Sequence, residues 1–96
     1  MSVAIAIPDR SEIMRWLVNL RDGAVTPKAA ADWGAQWLQL DNVPGQHLEV
    51  TDYGAWDALS TLSGADMSGW PDRDLLYGST DFAKWVEELQ SASTVR

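Results

Sequence analysis

The chain has no cysteine, a single histidine (His47) and a single phenylalanine (Phe82) among its 96 residues. Without thiols it can build no disulfide, no iron–sulfur cluster, no thiolate-zinc site and no cysteine nucleophile. One histidine also leaves the Ser-His-Asp arrangement a single candidate base. His47 lies in a turn-rich segment, where an ordinary surface role is the simpler reading. A histidine-based metal site would need three or four ligands, and only carboxylates are left to join it. Asp66, Asp72 and Asp74 lack the alternating ligands, central glycine and closing glutamate of a calcium-binding loop, so they read as solvated loop aspartates. No GxGxxG or GxxxxGK[ST] stretch is present to cradle phosphates. No cofactor and no catalytic residue is expected.

Long apolar runs are missing as well. Nothing approaches the roughly 18–20 residues of a membrane span, and Val3 to Ile7 has neither the length nor the basic flank of a signal peptide. The expected location is the cytoplasm, with no membrane partner. Basic residues are scarce: seven Lys and Arg face fourteen Asp and Glu, a net charge of −7 that argues against contact with nucleic-acid phosphates.

What the chain does have is tryptophan, six residues in a length that holds one domain. A domain this small removes only roughly 60–70% of its unfolded surface from water, so large side chains matter to its core. Trp16, Trp33, Trp37, Trp56 and Trp85 fall at inward helical positions and are expected to fill that core. Trp70, between Gly69 and Pro71, lies outside any periodic face. It is either a plug on the body of the protein or an anchor for a partner.

Four helical segments are expected. The first follows Asp9, whose spacing to Glu12 matches a capping box, and carries Ile13, Trp16, Leu17 and Leu20 on one face until Gly23. The second opens with Thr26-Pro27, a hydroxyl cap before a proline at the first helical position. It presents Ala30, Trp33, Trp37, Leu38 and Leu40, and its small residues, Gly34 among them, invite a close neighbour. The turn cluster Asp41 to Gly45 closes this half. The third helix starts near Glu49 to Asp52, capped by Thr51, and turns Tyr53, Trp56, Leu59 and Leu62 inward before Gly64. Ala65 to Gly78 is irregular, and Leu75-Leu76-Tyr77 fits either a helical turn or a short extended piece. The last helix takes Ser79 or Thr80 as its cap, places Asp81 in its first turn, buries Phe82, Trp85, Val86 and Leu89, and frays from about Ser91. Val3 to Ile7 could be one strand, with no partner in the chain. The fold class is therefore all-α: a small antiparallel four-helix bundle, one domain over residues 1–96 with its core at about 9–90.

Charge is unevenly distributed. Residues 1–28 carry a net +1 and residues 29–96 a net −8. An acidic surface of this kind either maintains solubility or steers the protein onto a basic partner.

The motifs Asp22-Gly23, Thr26-Pro27, Ala30 with Trp33, Trp56-Asp57-Ala58-Leu59 with Leu62, Gly64-Ala65-Asp66 and Asp81-Phe82-Ala83-Lys84-Trp85 resemble those of colicin-D-type immunity proteins and related small acidic bacterial toxin-immunity families, over residues 9–90. The resemblance implies a four-helix antiparallel bundle that blocks a cationic nuclease by presenting carboxylates where RNA phosphates would lie. It implies a charge type and no residue-by-residue map. The expectation is then a non-enzymatic immunity or inhibitor protein, monomeric or homodimeric, that neutralises a basic protein such as a nuclease toxin and does not bind nucleic acid. Asp66, Asp72 and Asp74 are the first expected contacts, Asp52 and Asp57 the next, with Trp70 as an apolar anchor. The alternative is a structural or assembly protein that pairs with itself or a larger subunit through apolar helix faces.

Overall fold

The computed structural model describes residues 3–40, 43–67 and 77–93. Its elements in chain order are strand β1 (Val3–Ala6), helix α1 (Arg10–Arg21), helix α2 (Pro27–Leu40), strand β2 (Gln46–Glu49), helix α3 (Tyr53–Leu62) and helix α4 (Ser79–Ser91). The protein is thus a mostly helical small domain with the four expected helices. It also contains a two-stranded parallel sheet, in register Val3 with Gln46 through Ala6 with Glu49. The apolar run at the start of the chain therefore has a partner, which corrects the all-α expectation. That partner is polar, alternates half-buried and exposed residues, and carries His47 on an exposed strand position.

Helix ends follow local chemistry. Gly23, at φ 78°, closes α1: its N–H donates to Leu20 O and that of Ala24 to Asn19 O, the paired bonds of a Schellman turn. Thr26 Oγ1 accepts from Ala29 N, as the hydroxyl cap before Pro27 requires. Three caps differ from expectation. Asp9 precedes α1 with no side-chain cap bond, so no capping box forms there. The cap of α3 is Asp52 rather than Thr51, because the Asp52 carboxylate reaches Ala55 N at 3.1 Å. Helix α4 is capped at Gly78, one residue early, where the Asp81 carboxylate accepts from Gly78 N at 2.9 Å.

The core is aliphatic. Ile13, Leu17, Leu59, Leu62 and Leu89 are its largest fully buried side chains, joined by Leu20, Phe82, Val86 and several alanines. Truncating any of those leucines to alanine should cost roughly 2–5 kcal/mol. The five helical tryptophans pack around this cluster half-buried rather than filling it, and Tyr53 is exposed. The reason lies in α2, which buries Ala30, Ala31 and Gly34 instead of its rings. At Gly34 a methyl group would stand 3.2 Å from Ser63 N and 3.3 Å from Leu59 O, so the helix lies close enough to the backbone at the end of α3 that a side chain would require it to shift by a few tenths of an ångström. Bulky indoles are then left to flank the contact. Helix α1 packs most extensively on α4 and also touches α2 and α3, which sets the first helix against the last.

Candidate functional site

Among the described residues no polar or charged side chain is buried, and no group of three His, Cys, Asp or Glu is placed to hold a metal ion. No described helix is long and apolar enough to cross a membrane.

The expected contact residues do not form one cluster. Asp52 sits at the start of α3, where Arg10 grips it through Nε to Oδ2 at 2.9 Å and Nη2 to Oδ1 at 2.7 Å. These bonds hold its carboxyl below the ordinary range, against the opposing effect of its partial desolvation. Arg10 Nη1 also donates to the carbonyl oxygens of Leu89 and Ala92, so the guanidinium joins α1, α3 and the end of α4. Asp57 is exposed on α3, beside a shallow groove of about 220 Å³ that Ala58, Thr61, Trp85 and Glu88 also line. Asp66 is half-buried in the turn after α3. Trp70, Asp72 and Asp74 lie outside the described residues, as does most of the irregular segment around them.

The cations show more order. Arg10 is committed to Asp52, whereas Arg15, Arg21 and Lys28 are exposed along α1 and the first turn of α2. Arg21 pairs with its neighbour Asp22 at 2.9 Å and Lys28 with Asp32, one turn on, at 3.2 Å. The Arg21 hydrogen bond holds the Asp22 carboxyl below its usual range. Exposed pairs of this kind contribute little to stability. Arg15 has no ion pair among the described residues. The only other described cation is Lys84, exposed on α4 among Asp81, Glu87 and Glu88. Three exposed cations thus lie along the α1–turn–α2 segment beside Glu12, Asp22 and Asp32, while α3 and α4 carry Lys84 alone against Asp57, Asp81, Glu87 and Glu88.

Aromatic rings cluster on the same segment. Trp16 of α1 stacks on Trp33 of α2 with centroids 4.7 Å apart and planes at 16°, and Trp37 meets Trp33 edge-on at 4.8 Å. A second group, Tyr77, Phe82 and Trp85, lies at the start of α4.

These features define a small, mostly helical protein whose described exposed cations, Lys84 apart, lie on the α1–turn–α2 segment. The chain belongs to the YxzC DNA-binding protein family, whose model matches residues 5–89. No curated protein and no solved structure matches it. Family membership corrects the immunity-protein resemblance, which rested on helix periodicity and punctuation that any small helical domain can share. The family description also overturns the expectations of a toxin-inhibitor function and of a basic protein partner without nucleic acid. Net charge is a poor guide to such contacts because it sums over the whole surface, whereas a phosphate contact would sample a few side chains within about a Debye length.

Proposed function

We propose that this protein binds DNA, with the α1–turn–α2 segment as the face that meets the phosphates. The observation that carries the reading is membership, over residues 5–89, of a family described as DNA-binding. The gathering of Arg15, Arg21 and Lys28 on that segment supports its location. Arg21 and Lys28 flank the turn, and the α2 N-terminus behind it adds the positive end of the helix dipole. The carboxylates of α3 and α4 repel a duplex and so restrict which face can approach it. In this reading the role is binding. In the same reading residues 1–96 form one domain, its helices make a single antiparallel bundle around α1, and the protein works in the compartment that holds the DNA.

Fluorescence anisotropy with a labelled duplex, measured across a salt series, tests this. With about three phosphates neutralised, log affinity should fall against log salt with a slope of about −2 to −3. Reversing all three cations (Arg15→Glu, Arg21→Glu, Lys28→Glu) should remove binding, while Lys84→Glu should leave it nearly unchanged. Equal affinity and slope in the triple variant would exclude this face, and no binding at low salt would exclude the function.

A further inference from the structure

Helix α2 packs on α1, α3 and β2 and buries Ala30, Ala31 and Gly34. Its opposite side is open, since Lys28, Ala29, Asp32, Gln36 and Gln39 are all exposed. At 3.6 residues per turn these positions fall within an arc of about 100°, so they form one stripe along the helix. None of them is a large apolar residue, and little on the stripe would gain from being covered by a protein. Its two charges cancel, because Lys28 donates to the Asp32 carboxylate at 3.2 Å. Beyond that pair the exposed positions of the helix are the uncharged amides of Gln36 and Gln39. By contrast α3 exposes Asp57, and α4 exposes Glu87 and Glu88, which a phosphate-lined groove would repel.

We propose that this outward stripe of α2 reads sequence in the major groove of duplex DNA, with Gln36 and Gln39 hydrogen-bonded to adenine edges. The inference rests on the DNA-binding reading above and adds which part of the duplex is read and by which residues. A glutamine amide holds a donor and an acceptor side by side, which matches the N6 amino group and N7 of adenine. The two glutamines are separated by about 4.5 Å along the helix axis, close to the rise of about 3.4 Å between successive base pairs, so they reach neighbouring pairs. The major groove, about 12 Å wide, admits a helix, whereas the minor groove, about 6 Å wide, does not. Lys28 opens the stripe and, with Arg21, flanks the turn before it. Phosphate contact therefore falls at one end of α2 and base contact at the other, so that the cations fix the register in which the amides read.

Selection by the full chain from a pool of random duplexes, followed by anisotropy on the selected sequence and on a scrambled duplex, tests this. The protein should select a site that holds two adjacent A·T pairs and bind it at least about a hundredfold more tightly than the scrambled duplex. Gln36→Ala and Gln39→Ala, at exposed helix positions where alanine preserves the helical circular dichroism, should each lower that ratio about tenfold. Both should leave the affinity for the scrambled duplex and its salt slope unchanged. Lys28→Ala should instead weaken both duplexes alike and reduce the slope by about one. Gln39→Glu should move the preference at its own base pair from adenine to cytosine, whose N4 amino group donates to a carboxylate. Binding to the pool without a preferred sequence would overturn the proposal. So would a preference that survives both alanine variants and Gln39→Glu. Either result leaves DNA binding itself standing, whereas no binding to the pool at low salt would remove the two readings together.

Discussion

Arg10 and Asp52, 42 positions apart, form a two-point ion pair that fastens the first turn of α1 to the cap of α3. The same Arg10 side chain donates to the carbonyl oxygen of Leu89, which also accepts from Ala92 N, and to that of Ala92 just past the end of α4. One guanidinium thereby ties three helices at one pole of the molecule. Its planar fork is what makes this possible, since a lysine ammonium cannot address a carboxylate and two carbonyls in the same plane.

The pair should give the protein a measurable acid sensitivity. Arg10 hydrogen bonds, followed by those from the Ala55 and Gly54 backbones, lower the Asp52 pKa in the folded state. The resulting stability is complete above the ordinary aspartate value of about 4 and is lost as pH falls through the lowered value. Urea unfolding followed by tryptophan fluorescence at a series of pH values should show Asp52→Asn less stable than the parent at neutral pH, with the two curves converging below about pH 4. Curves that stay parallel through that range would mean the pair contributes nothing.

Gly54 is the space that Arg10 needs. A methyl group there would lie 2.5 Å from Arg10 Nη2, 2.7 Å from the Ser93 carbonyl oxygen and 2.8 Å from Ala92 Cβ. Gly54→Ala should therefore destabilise by roughly 1–3 kcal/mol, as overpacking does, even though alanine is the better helix former. In an Arg10→Ala background the loss should shrink, because one of the three obstacles is gone. A double-mutant cycle on thermal unfolding reads the coupling, and strict additivity would show that the methyl acts without Arg10.

The stacked indoles offer an optical test of the α1–α2 contact. Trp16 and Trp33 are near-parallel at 4.7 Å, a geometry worth about 0.5–1.5 kcal/mol beyond the area it buries. Trp33→Leu should weaken the near-ultraviolet circular dichroism strongly and lower the melting temperature, because it breaks contacts to both Trp16 and Trp37. Trp56→Leu, at a ring outside both aromatic groups, should change the spectrum far less. Equal spectral losses would show that the stack does not dominate the signal.

Much of the helical framework was legible in the residue order. Thr26-Pro27, Gly23 and the spacing of Ile13, Leu17 and Leu20 locate helix boundaries and faces through local sterics and periodicity, which need no distant partner. Strand β2 was not legible. Gln46-His47-Leu48-Glu49 has one aliphatic residue, and its pairing with β1 is parallel, reached across two intervening helices with no hairpin turn to announce it. Gly34 was correctly legible as a close-packing residue. Which rings would then be left at the rim was not, because that depends on how near α3 comes.

The candidate site divides in the same way. The surplus of basic residues before position 29 can be read from the sequence, but which of those cations remain available cannot. Arg10, Arg15, Arg21 and Lys28 look alike in one dimension, and only folding brings Arg10 to Asp52 and withdraws it from solution. By itself the sequence determined where the four helices lie, to within a few residues at each end, and which aliphatic side chains face inward, since turn formation and periodicity act over a few residues. The tertiary structure decided which charges are already paired, which strand finds a partner and which glycines lie against a neighbouring backbone. Those outcomes rest on distances between residues tens of positions apart, and no local pattern encodes them.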